Sequence, residues 1–275
     1  MFKPVRQYLG QVALEVGYDL IKTYVQQRPS HSSRSFSWQA YALEKPPILS
    51  SKTPIINLNN PLEPQITRVE GVYQRGFIGL YEAKGAPRDR IVGFINGRCN
   101  SPLHFQEHAR RLSSYGLHVI GLYNPCIPGA PRLVDYSQAL KILVPTQMAP
   151  SALTYLPDWV HLGLSLNTKK KFKIIAHSHG YGLLAQSLLL QGKLWAEHGK
   201  QVDLYGFAGI TSIPQMYGLQ RVNFCNQGDW AVKLMLLAQK NFDDLKILPK
   251  PKEEGSYHGL WGPGYFEPLH KILLT

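Results

Sequence analysis

Apolar and polar positions change period several times along the chain, and each change marks a candidate element. In residues 3–27, Val5, Leu9, Val12, Val16, Leu20 and Tyr24 recur at helical spacing, while Arg6, Glu15, Lys22 and Gln26 fall mostly elsewhere. That predicts an amphipathic helix, ended by Arg28-Pro29-Ser30. Residues 29–65 lose the period and are rich in Ser, Pro and Asn, as in an extended arm without its own core. From residue 66 short strand-like runs take over. Ile66–Gln74 and Phe77–Ala83 suit a hairpin turning at Arg75-Gly76. Arg90–Asn96, His118–Tyr123, Phe172–Ala176, Val202–Ala208 and Arg221–Asn226 read as further strands, with a weak last one at Leu245–Leu248.

Helical patterns separate these runs. Ser101 is a candidate cap with Pro102 at the first position, Phe105, Ala109 and Leu112 on one face, and Gly116 beyond the end. A second helix runs through Leu183, Leu184, Ser187 and Leu188 to Gly192; others cover Asp229–Phe242 and Glu267–Leu274. Strands alternating with helices predict an α/β fold with a mostly parallel sheet. The length of 275 residues and a 44% hydrophobic content fit one core domain, 66–275, with an appendage over 1–65.

The net charge of +12 invites nucleic acid, anionic membranes or acidic partners, but the excess is dispersed. Its sharpest run, Lys169-Lys170-Lys171-Phe172-Lys173, leads into a strand and reads as a solvated face. No nucleic-acid motif accompanies it, so nucleic acid is not expected; an anionic membrane surface, met by the first helix, stays open as a partner. Cys99, Cys126 and Cys225 form no CxxC and cannot all pair with one another. With no evident secretory signal, the expected location is cytoplasmic; peripheral membrane attachment and signal-less export are the alternatives. The longest stretches free of acidic and basic residues, 112–131 and 174–192, are broken by Gly and Pro or by His177-Ser178-His179-Gly180, so strand–turn–helix units are expected there.

The most informative segment is Phe172–Leu190. A strand runs into Ala176-His177-Ser178-His179-Gly180 and then into a helix. This is a G-x-S-x-G elbow with Ala at the first small position. A serine on so tight a turn is strained, needs small neighbours two residues away, and presents its Oγ at the carboxyl edge of the sheet. The next backbone N–H, that of His179, is aimed at a developing oxyanion. The alternative is a tight turn with an idle serine. In this setting the chain resembles the α/β-hydrolase superfamily, serine hydrolases of lipase and esterase type, over residues 66–275. The strand ending Phe94-Ile95-Asn96-Gly97-Arg98 is similar to that superfamily's third strand, with Asn96 where a His is common. The resemblance implies a second oxyanion donor at the backbone N–H of Arg98 or Cys99. The set G-F-I-N-G, H-A-R-R-L, G-L-Y-N-P, A-H-S-H-G and N-Q-G-D also resembles an uncharacterised hydrolase-like family of chlamydia-type intracellular bacteria, which brings no established activity.

The superfamily's chain order is serine, acid, histidine. Asp229, in Asn226-Gln227-Gly228-Asp229 after a late strand, is the candidate acid that fixes the imidazole tautomer; alternatively it caps the helix that follows. His258, in Ser256-Tyr257-His258-Gly259, is the candidate base; alternatively it is a surface histidine, with His270 as rival. His177 and His179 are too close in sequence to Ser178 to serve easily as its base, and are expected to pack around the elbow or bond its loop. His104 and His108 have a metal-compatible i,i+4 spacing but lack the Glu of H-E-x-x-H and a third ligand; a packing or surface pair is expected. No cofactor or metal is expected.

Residues 126–168 carry Leu140, Ile142, Leu143, Met148, Leu153, Tyr155, Leu156, Trp159 and Leu162 among prolines. They predict either a helical lid over the sheet edge or ordinary packing on a sheet face. A lid would favour an apolar acyl or lipid ester. Two functions remain: a serine hydrolase of esters or thioesters, or a hydrolase scaffold acting as a binding or effector protein at a membrane or on a partner.

Overall fold

The computed structural model describes residues 53–62, 76–97, 100–125, 151–167, 170–209, 211–229, 243–251 and 258–275. The predicted first helix, the strand Ile66–Gln74 and hence the hairpin, Arg98, Cys99, residues 126–150 and the helix expected after Asp229 lie outside them.

Among the described residues eight strands form one sheet: β1 (Ile55–Asn57), β2 (Phe77–Tyr81), β3 (Ile91–Ile95), β4 (His118–Tyr123), β5 (Phe172–His177), β6 (Val202–Phe207), β7 (Gln220–Asn226) and β8 (Leu245–Leu248). Their order is β1-β2-β4-β3-β5-β6-β7-β8. The β2–β4 pair is antiparallel and every other pair is parallel. The described helices are α1 (Pro102–Ser113), α2 (Leu156–Leu166), α3 (His179–Leu190), α4 (Gly192–His198) and α5 (Phe266–Leu274). This strand order, with helices on both faces, is the α/β-hydrolase fold.

The central strands are apolar on both sides because both faces are covered. In β3 all five residues are buried. Ile91 and Ile95 face one cluster with Trp159, Phe172, Leu183 and Trp195; Val92 and Phe94 face the other with Phe105, Leu112, Leu269 and Ile272. The first face is thus roofed by α2, α3 and α4, the second by α1 and α5. Ser101 caps α1 as expected, accepting from the His104 amide at 3.2 Å. The predicted stop at Gly192 ends α3 but immediately opens α4. The basic lead-in is engaged within the fold: Lys171 pairs with Asp203, and Lys173 donates to the Ile272 carbonyl, each at 3.1 Å. A cation at that place complements the carboxyl end of α5.

One sequence expectation needs correction, and one pair of alternatives is decided. The sheet begins inside the segment read as an arm: β1 pairs with β2 at Ile55↔Ile78, Ile56↔Gly79 and Asn57↔Leu80. Asn59 then bonds the backbone of Glu82 in both directions at 2.8 Å. The three residues of β1, in a segment bounded by Pro54 and Pro61, are too few to show a period. Of the two alternatives for residues 126–168, the described end, 151–166, takes ordinary packing on the sheet face. Trp159 is fully buried, its indole N–H donates to the Ile120 carbonyl at 2.8 Å, and its ring meets Phe172 edge-on.

From β3 the chain crosses through α1 to β4 on one side; from β5 it crosses through α3 to β6 on the other. Loops leaving the carboxyl ends of β3 and β5 therefore diverge, and a crevice opens where the order reverses.

Candidate active site

Ser178 stands at that crevice, between β5 and α3. Its backbone has φ 50° and ψ −116°, a sparsely populated region for a residue with a Cβ. The surroundings over-determine it: the Ser178 amide donates to the Phe207 carbonyl at 2.8 Å, and its own carbonyl accepts from Tyr181 at 3.1 Å. The small neighbours are required by distance. A Cβ on Gly180 would lie 2.8 Å from the carbonyl oxygens of both Ile95 and Asn96. A Cβ on Gly97, across the crevice, would come within 2.7 Å of His177 Nδ1.

Three of the sequence-derived candidates meet in one hydrogen-bonded row. The His258 Nε2 lies 2.8 Å from Ser178 Oγ, and its Nδ1 lies 2.7 Å from Asp229 Oδ2. A carboxylate accepts, which puts the proton on Nδ1 and leaves Nε2 to accept from the serine hydroxyl. Burial differs along the row: Asp229 is fully buried, Ser178 is buried at 8% exposure, and the His258 side chain is 29% exposed. The row thus meets solvent at the histidine.

Other polar side chains brace this edge. Asn96 accepts from the Asn124 amide at 2.7 Å and donates to the carbonyls of Gly97 and Asn124 at 2.7 and 2.9 Å. Asn124 Nδ2 in turn lies 2.7 Å from His179 Nδ1. The Asn that replaces a histidine after β3 therefore joins the ends of β3 and β4, and the tie reaches the elbow. Tyr265 accepts from the Asn226 amide at 3.1 Å and reaches Asp229 Oδ2 at 3.4 Å. Burial, reinforced by Asp229, pushes the Tyr265 phenol well above its ordinary pKa, so it stays a donor. Tyr265, Asn124 and the Nε2 contact of His177 with the His258 carbonyl carry no spacing signal in the sequence; their partners arrive from distant strands and loops.

The remaining candidates lie elsewhere. Arg98, the second oxyanion donor implied by the resemblance, is outside the described residues, as are Cys99 and Cys126. Cys225 is buried in β7, and burial raises its thiol far above the ordinary range. His270 lies exposed on α5 against Tyr115 and Phe266. His104 is exposed, whereas His108 accepts at Nδ1 from the Trp261 indole at 2.5 Å.

Two imidazoles here are held neutral by burial. The pKa of His108 is lowered to about 4 and that of His177 to about 3, with the charges of Arg111 and His258 respectively adding to the effect. The ordinary value is 6.5, so below it the unfolded chain takes up protons that the folded protein refuses. Stability is expected to fall as pH drops from about 6.5 towards 3. The urea midpoint should therefore be lower at pH 4.5 than at pH 7, and less so in His108→Gln; an unchanged wild-type midpoint would contradict this.

Fold and row together define a class: an α/β-hydrolase fold with a serine, a histidine and an aspartate aligned at its carboxyl edge. No family model and no curated protein matches the sequence. Among solved structures the chain is similar to Est1E from Butyrivibrio proteoclasticus, with 12% identity over 72% of this chain and 90% of that one and a TM-score of 0.42. It is similar to a carboxylesterase from Mesorhizobium loti, with 11% identity over 68% and 90% and a TM-score of 0.40. An alpha-beta serine hydrolase homologue from Coxiella burnetii has 12% identity over 75% and 93%, with a TM-score of 0.39. The fold assignment stands on strand order and connection, not on these likenesses.

Proposed function

We propose that the chain is a serine hydrolase that cleaves an ester or thioester of an apolar acyl group through Ser178, His258 and Asp229. The observation that carries this reading is the continuous row from Ser178 Oγ through His258 to Asp229, at 2.8 and 2.7 Å, with its serine on a strained strand-to-helix turn. In the first step Ser178 Oγ attacks the acyl carbonyl carbon while His258 Nε2 takes its proton. Asp229 holds the Nδ1–H tautomer and offsets the charge of the imidazolium. The backbone N–H of His179, at the first position of α3, faces the developing oxyanion, with that of Arg98 as the second donor. His258 then passes the proton to the leaving alcohol or thiol. A water, deprotonated by His258, releases the acyl group and restores the serine.

The apolar acyl preference rests on the sequence alone, on Leu140, Ile142, Leu143 and Met148 in 126–150, which lie outside the described residues. A series of acyl esters of increasing chain length, with wild type and Ser178→Ala, tests the reading. Turnover that rises from acetyl towards longer chains and is absent in Ser178→Ala is expected; a preference for acetyl would remove the apolar acyl site. Repeating the series with anionic vesicles tests whether the net positive charge and the helix predicted over 3–27 bring the enzyme to a membrane.

A further inference from the structure

His177 immediately precedes the elbow serine, and the row does not use it. Its ring is buried and lies obliquely beside that of His258, with centroids 5.4 Å apart. Its Nε2 is 2.6 Å from the backbone carbonyl oxygen of His258. A carbonyl oxygen can only accept, so the proton sits on Nε2 and His177 donates. Its Nδ1 is then a bare acceptor, buried without a hydrogen-bond partner among the described residues and packed against Gly97. An orphaned buried nitrogen is costly and calls for a reason. Leu or Phe would fill the same space without that cost, but neither could donate to the His258 carbonyl.

We propose that His177 is a positioning residue that clamps the main chain of His258 to the strand end bearing Ser178. The proposal rests on the serine hydrolase reading above. Asp229 holds one edge of the His258 ring and Ser178 Oγ meets the other, but neither bond fixes the main chain of His258. The bond from His177 adds a fixed point on the backbone. Because His177 and Ser178 are consecutive, any shift of the elbow carries nucleophile and clamp together, and the 2.8 Å contact between Ser178 and His258 is kept. Burial keeps His177 neutral, so it does not repel His258 when that ring takes a proton.

Nitrogen-15 NMR of the wild-type protein reads the tautomer directly. A neutral His177 with its proton on Nε2 is expected; a proton on Nδ1 overturns the clamp. Two variants then separate donation from bulk. The amide nitrogen of Gln reaches about as far as Nε2, whereas that of Asn stops one methylene short. His177→Gln should keep the fluorophosphonate labelling rate within a few-fold of wild type. His177→Asn should lower it by about 10- to 100-fold, the scale of a small misplacement of a reacting group. The loss should appear in kcat with little change in KM. A folded Asn variant labelled at the wild-type rate, or equal losses in Gln and Asn, would overturn the positioning role alone. A wild type that is not labelled at all removes the serine hydrolase reading and this role with it.

Discussion

Replacing Asp229 by Asn is expected to lower turnover by about 10⁴-fold while leaving the fold intact. The side chain is fully buried, and Asn has nearly the same shape, so packing is preserved. The chemistry changes because an amide offers His258 a donor as well as an acceptor. The Tyr265 hydroxyl lies 3.4 Å from Oδ2, the same oxygen that meets His258 Nδ1, so it does not turn the amide away from His258. An amide oxygen kept there no longer carries the charge that offsets the imidazolium, and an NH₂ group turned there donates to Nδ1. In the second case Nδ1 must accept, the imidazole proton moves to Nε2, and Nε2 can no longer receive the proton of Ser178. The same substitution separates the two roles that Asp229 has in the sequence. Asn caps helices as well as Asp does, so a residue that only capped the following backbone would tolerate the change. Full turnover in Asp229→Asn, measured with any ester the wild type cleaves, would remove the acid from the mechanism.

A methyl group at Gly180 is expected to do comparable damage from outside the row. Its carbon would lie 2.8 Å from two backbone oxygens, those of Ile95 and Asn96, neither of which can rotate away as a side chain can. Either the first turn of α3 or the end of β3 must move. The cost of such overpacking is about 1–3 kcal/mol. The movement falls where it matters, since Gly97, two residues past β3, lies beside Ser178 Cβ, and α3 begins with the His179 amide. A displacement near 1 Å between them should lower turnover on the order of 10²-fold. Urea unfolding and ester turnover of Gly180→Ala check both halves; wild-type values in both would mean the elbow is not as tight as these distances require.

These effects follow from features that the chain displays unevenly. The buried strands were readable because parallel strands covered on both faces become short apolar runs, as in Ile91–Ile95 and Phe172–His177. The elbow was readable because its small residues answer to local geometry. The order of Ser178, Asp229 and His258 supplied the rest of the row. What the sequence hid was decided by tertiary contact. The strand Ile55–Asn57 has no period to detect, and it exists because β2 offers it an edge. Trp159 and its neighbours have the composition of a lid and of a sheet-packed helix alike; the bond to the Ile120 carbonyl and the ring of Phe172 distinguish the two. Gly192 is a sound stop signal for α3, yet the chain turns there straight into α4. The side chains that brace the site, Asn96, Asn124 and Tyr265, find partners set by the fold rather than by the local pattern.

The proposed mechanism requires Ser178 to be an activated nucleophile. A fluorophosphonate probe tests it most directly, because phosphonylation requires the hydroxyl, its base and an accessible edge, but not the natural substrate. Wild-type protein should be labelled at one site, Ser178→Ala should not be labelled, and heat-denatured protein should lose the reaction. Well-folded wild-type protein that stays unlabelled, with and without anionic vesicles, or Ser178→Ala labelled as fast as wild type, would contradict the account.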